Sequence, residues 1–212
     1  HSMTDYSTSY KSRSKTMKHL SIAIIILMAA TITHQAGAAQ IMYLASITDK
    51  TVVSYELDDS TGDLTVVHSL ELPISPGPMC FSPCGSYLYA AMSGKDANGD
   101  TVNGIATLKI GDRGKLTLVT YAKIAVRAPY LQVDSSGRFA MTAHYSTGEV
   151  NVYKIEEKIV TGENLDHHKT ERTAHCIEFD PSGKFVYVPH TSPNKVYQYR
   201  LDAKSGKLTP LK

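Results

Sequence analysis

Apolar residues in this chain fall into short alternating runs, broken by turn chemistry and recurring at a regular interval. Residues 171–207 hold one complete copy of the pattern. An apolar run at 176–179 leads into Asp180-Pro181-Ser182-Gly183, where aspartate caps, proline pre-sets φ and glycine takes φ > 0. Residues 184–188, Lys-Phe-Val-Tyr-Val, are β-branched and aromatic as a strand requires. A polar connection at 190–194, an alternating run at 196–201, a second turn at 202–206 and a last strand from Leu208 complete four strands of an antiparallel meander.

Earlier copies align on the first turn. Ser82-Pro83-Cys84-Gly85 and Asp134-Ser135-Ser136-Gly137 each precede a run like the one after Gly183, which gives a repeat of roughly 50 residues. The second turn recurs at 57–64 and 110–116, and in degenerate form at 155–162. Four strands in a unit of about 45 residues predict an all-β fold built of β-propeller blades, because one blade cannot bury both of its faces alone. The repeats begin near 41, 79, 130 and 175, and the first starts part-way through its unit. Within them, 41–46, 51–57 and 64–70 read as strands, Pro73, Pro76 and Pro78 as a crossing to the next blade, 93–104 as a long loop and Asp166-His167-His168 as a polar connection.

Residues 1–39 stand outside this pattern. Met17-Lys18-His19, an apolar stretch at 20–32 and Ala36-Gly37-Ala38 read as a signal peptide, and the apolar stretch is shorter than a bilayer span. The expectation is a periplasmic or secreted protein, with no membrane attachment after cleavage. Residues 40–212 then form a partial propeller of about four blades.

Composition narrows the function classes. A net charge of +2, with no tryptophan and 13 tyrosines, excludes a strongly basic nucleic-acid binder and an acidic disordered tail. Three cysteines are an odd number for an exported chain and point to free thiols rather than a disulfide framework. Asp96-x-Asn98-x-Asp100 supplies half of a calcium loop, but the following glycine and the closing glutamate are missing, so a solvated turn is the expectation. Adjacent His167 and His168 point apart on an extended chain and suit a surface rather than a metal. No metal or cofactor is expected. Motifs of serine hydrolases, zinc hydrolases and phosphate loops are absent.

Candidate chemistry follows from repeat position. The first strand of each blade borders the central channel of a propeller, so Arg172 and His175 of one repeat, with Arg127 and Tyr130 of its neighbour, are expected to face the axis. Arginine forks suit an anionic carboxylate or phosphate.

The runs A-H-C-x-E-F-D-P-S-G-K-F-V-Y-V-P, N-K-V-Y-Q-Y-R-L-D-x-K-S-G-K-L-T-P and H-Y-S-T-G-E-V-x-V-Y resemble the lactonase family of seven-bladed β-propellers. That family includes bacterial 6-phosphogluconolactonase and the fungal 3-carboxy-cis,cis-muconate lactonizing enzyme. The resemblance covers about residues 41–212 and implies a metal-independent site at the channel mouth made of His, Arg and acidic side chains. It carries over to His144, Arg172 and His175 as catalytic residues, with Glu171 beside them. Arg127 and Tyr130 become substrate-binding residues. Where many relatives have Asp-Leu-Gly this chain has His190-Thr191-Ser192-Pro193-Asn194, which adds His190 to the pocket. Seven blades need about 320 residues, so this chain is expected to be a fragment. The implied function is hydrolysis of a sugar or carboxylated lactone, the partner being that small lactone or an anionic sugar derivative. A muconate-type cycloisomerase using the same residues, or a binding scaffold without catalysis, are the alternatives.

Overall fold

The computed structural model of the chain describes residues 40–211, so the signal-peptide reading lies outside the described residues. Every regular element among them is a strand, apart from one turn of 3-10 helix at Asp112–Gly114. The first sheet contains β1 (Gln40–Ser46), β2 (Thr51–Leu57) and β3 (Leu64–Glu71). The second contains β4 (Pro76–Phe81), β5 (Tyr87–Lys95), β6 (Thr101–Ile110) and β7 (Leu116–Ile124). β8 (Tyr130–Val133), β9 (Phe139–His144), β10 (Glu149–Glu156) and β11 (Ile159–Lys169) make the third. β12 (Glu178–Phe179), β13 (Phe185–His190), β14 (Lys195–Leu201) and β15 (Leu208–Pro210) make the fourth. Within each sheet, every strand pairs antiparallel with its chain neighbours, as in propeller blades.

Why the blades stack is visible in β5, Tyr-Leu-Tyr-Ala-Ala-Met at its start. Side chains alternate between the two faces of a strand. Leu88, Ala90 and Met92 join a core shared with Val52 of the first blade, whereas Tyr89 and Ala91 join a core shared with Leu131 and Val133 of the third. A central strand must therefore be apolar on both faces. The seam between the third and fourth blades repeats this, with Phe139, Met141, Ala143, Val150 and Val152 against Ala174, Ile177, Val186 and Val188. Fully burying one such aliphatic side chain contributes about 1.5–3 kcal/mol.

The turns work as their residues require. Asp180 Oδ1 accepts the backbone N–H of Lys184 (3.0 Å) and of Phe185 (2.9 Å), and Gly183 stands at φ +68°. Asp134 repeats this toward Arg138 (2.9 Å) and Phe139 (2.8 Å).

Three expectations need correction. Pro76 and Pro78 lie within β4 rather than in a crossing, and a register shift follows Pro76. β4 is the edge of its sheet, where a strand tolerates a residue without N–H. The supposed long loop is mostly hairpin, since β5 runs to Lys95 and β6 begins at Thr101; Asp96 Oδ1 accepts the N–H of Asn98 and Asp100 in the short turn between. Asp166, His167 and His168 belong to β11, an edge strand whose exposed positions accept polar residues.

The three cysteines are free thiols in different surroundings. Burial pushes Cys80 up to about 12. Cys84 is exposed, and hydrogen bonds from Ser82 and Ser86 bring it down to about 7.

Candidate functional site

Four segments meet at one end of the third and fourth blades. They are the approach to β8 around Arg127, the turn after β9 (Tyr145, Ser146, Thr147, Gly148), the connection from β11 to β12 (170–175), and the turn after β13 (191–194). Backbone hydrogen bonds tie the last three together: Thr170 N to Gly148 O (2.8 Å), Thr173 N to Tyr145 O (2.7 Å), His175 N to Pro189 O (3.0 Å) and Thr191 N to Thr173 O (3.2 Å). Gly148 makes the approach possible. It stands at φ +73°, and a Cβ there would overlap the carbonyl of Glu171.

Arg172 is exposed, and its Nε donates to Ser146 O at 3.0 Å. That single bond aims the guanidinium while its terminal nitrogens make no hydrogen bond among the described residues. His175 is exposed too, its ring edge-on to Tyr145 with centroids 5.8 Å apart at 77°. The Glu171 carboxylate binds Lys195 Nζ and Tyr197 OH, both through Oε1, which leaves Oε2 open. The Lys195 hydrogen bond first, then that of Tyr197, hold the Glu171 carboxyl below its usual range. It is therefore an ionised group at neutral pH and a weak base. Arg127 is exposed at the same end and enters the network through its backbone.

His144 is fully buried. Its Nδ1 lies 2.9 Å from the carbonyl of Arg127, an atom that can only accept, so Nδ1 carries the proton. Nε2 then accepts from Thr142 Oγ1 (2.7 Å) and Asn151 Nδ2 (3.0 Å). Asn164 Nδ2 donates to Asn151 Oδ1 at 2.9 Å, which fixes the orientation of that amide. Burial pushes the His144 ring down, consistent with a neutral imidazole. Both nitrogens are thus engaged, and the Nδ1 bond ties the ring to the Arg127 backbone.

His190, also buried, occupies the same repeat position as His144 and sits under Thr170. Tyr130 is not with the others. Strand pairing equates Gln132 with Glu178, hence Tyr130 with Cys176, and not with His175 as the sequence alignment has it. A slip of one residue along a strand exchanges its faces. The Tyr130 hydroxyl donates to Glu178, which also takes Gln132 Nε2 at 3.4 Å and lies 3.6 Å from Cys176 Sγ. Glu178 was missed by sequence reasoning although it lies inside the A-H-C-x-E run; a carboxylate on an inner strand was the available signal. Thr170, Lys195 and Tyr197 were missed because their role depends on contacts between blades. Among the described residues no cluster of His, Cys, Asp and Glu could hold a metal ion, and no helix is long and apolar enough to cross a membrane.

Stacked antiparallel sheets, three of them four-stranded, with polar side chains gathered at one end of two of them, define a β-propeller protein. The description "Lactonase, 7-bladed beta-propeller" matches residues 41–212, and the chain belongs to that family. A 6-phosphogluconolactonase of Yersinia enterocolitica is 30% identical over 118 residues, 56% of this chain and 33% of the relative. One of Photorhabdus laumondii is 27% identical over 124 residues, 58% of this chain and 35% of the relative. The chain thus spans about a third of the length of these curated relatives. A solved Lactobacillus plantarum protein shares the fold with TM-score 0.69 at 22% identity, over 82% of this chain and 51% of that one. A Bacteroides uniformis structure does so with TM-score 0.69 at 12% identity, over 81% and 50%.

Proposed function

We propose that this chain carries part of the site of an exported lactone hydrolase acting on a sugar or carboxylated lactone, and that His175 and Arg172 perform the chemistry. The observation that carries the reading is the pairing of an exposed imidazole with an aimed guanidinium on one short segment, between two blades. The likeness to 6-phosphogluconolactonases supports the choice of a lactone.

In this reading His175 takes a proton from water as the water oxygen bonds to the lactone carbonyl carbon. Arg172 stabilises the oxyanion that forms. Collapse breaks the acyl C–O bond, and the protonated His175 returns its proton to the leaving alkoxide. One lactone and one water become one hydroxy acid. Glu171, ionised and tied to Lys195, stands on the same segment. Arg127 is available for an anionic substituent, and His144 keeps the Arg127 backbone in place. Tyr130, bonded to Glu178, binds substrate farther along the inner strands.

The test is titration of acid release from glucono-, phosphoglucono- and carboxylated lactones with the full chain, His175→Ala and Arg172→Ala. Acid release by the unmodified chain, lost in both variants, is the expected result. Absorbance loss from a diene without acid release would assign a cycloisomerase. Ligand affinity or activity unaffected by either substitution would remove these residues from the site.

A further inference from the structure

The two repeat-related histidines differ in one respect that their shared position makes interpretable. His144 has unambiguous donors to Nε2, namely Thr142 and Asn151. At the corresponding positions of the fourth blade stand Val188 and Tyr197, so His190 has lost both. Its Nδ1 is 2.9 Å from Val188 O, which can only accept. Its Nε2 is 2.7 Å from Thr170 Oγ1.

Thr170 Oγ1 is itself 2.5 Å from Gly148 O and 3.2 Å from Glu171 O. A hydroxyl has one proton. If it goes to Gly148 O, Nε2 must donate and His190 carries two protons. If it goes to Nε2, His190 is neutral and Gly148 O keeps only the Thr170 N–H. The protonation state of a buried imidazole therefore selects between two hydrogen-bond patterns at the start of the segment that presents Glu171, Arg172 and His175.

The charged and titratable groups around His190 come from two elements. The connection from β11 contributes Glu171, an ionised carboxylate. β14 contributes Lys195, opposite His190 in register, and Tyr197, whose ring lies 4.6 Å away and whose hydroxyl is bonded to Glu171. Lys195 is itself neutralised by its ion pair with Glu171.

We infer that His190 is a positioning residue acting as a protonation-dependent latch: its doubly protonated form donates to Thr170, which then clamps the Gly148 carbonyl and fixes the 170–175 segment. No substrate contact is required of it. The effect on turnover rests on the lactonase reading, whereas the latch does not.

The test is nitrogen NMR of the histidine rings in the full chain, with His190 assigned through His190→Gln, together with amide exchange at Thr170, corrected for intrinsic rates. The rings are followed from pH 8 to pH 5, and the latch requires a second proton on His190 while His144 stays Nδ1-protonated and neutral. Thr170 amide exchange slows about tenfold as that charge-assisted bond forms. Thr170→Val abolishes the slowing, and Thr170→Ser, which keeps the hydroxyl, retains it. If Thr170→Val does not fold, the ring titration and the exchange in the unmodified chain decide. A His190 ring that keeps one proton at pH 5, or exchange slowing that survives in Thr170→Val, overturns the latch. Failure to open any lactone at any pH removes the lactonase reading and leaves these measurements standing.

Discussion

At the scale of single residues the site separates into groups that can act and groups that hold. His175 is exposed with a ring that touches Tyr145, so its removal disturbs little structure. His175→Ala is expected to lower kcat about a hundred- to ten-thousand-fold, the usual range for a lost general base, with Tm unchanged. His144→Ala has the opposite signature. It strands Thr142 and Asn151 in the interior and should destabilise by about 2–4 kcal/mol, seen as a lowered denaturant midpoint. A His144 variant of unaltered stability but abolished turnover would instead make His144 a reacting group. Gly148→Ala combines an αL penalty with overlap on the Glu171 carbonyl. A loss of about 2 kcal/mol or more is expected, with KM and kcat both affected because the 170–175 segment must shift. Undiminished stability would mean that the segment yields freely.

Individual elements show what the sequence makes legible and what it hides. Strand cores were readable because period-two alternation and Asp-x-x-Gly turns are local: β2 is the predicted 51–57, and β1, β3, β13 and β14 differ from expectation only at their ends. Prolines in β4 and histidines in β11 were misread because both strands are edges, and edge position is decided by other strands. The site was half legible. Arg172, His175 and Glu171 lie on one segment, whereas the saturation of His144 and the pairing of Tyr130 with Glu178 depend on partners across a sheet or a seam. The turns carry their own prediction. The Ser182 side chain, then the Phe185 N–H, hold the Asp180 carboxyl down at about 2. A depressed carboxyl contributes stability that is present above its unfolded value near 4 and is lost as pH falls toward the folded value. Asp180→Asn should therefore lower Tm at pH 6, and the difference from the unmodified chain should shrink between pH 4 and pH 2. A difference that is constant with pH would mean that the ionised form is not what the turn requires.

At the scale of the whole molecule, each blade exchanges apolar contacts with its chain neighbours, so stability is expected to be a sum of seams rather than the property of one core. The seams are chemically unequal. Those between the first and second blades and between the second and third are joined by apolar residues from both faces of β5. The seam between the third and fourth also carries His190, Thr170 and the 170–175 segment at one end. Met141 is fully buried in this last seam, on the face of β9 opposite His144. Met141→Ala should cost about 2–5 kcal/mol through the cavity it leaves. If the seams are nearest-neighbour units, amide exchange will accelerate across β9–β14 well before it does in β1 and β2, and the proposed lactone opening will fall with it. The comparison is Ile105→Ala, at the seam between the second and third blades, which should loosen β5–β9 and spare β13 and β14. Equal acceleration throughout both variants would show that the four blades unfold as one cooperative unit, and the site would then draw its rigidity from the entire arc rather than from the seam on which it lies.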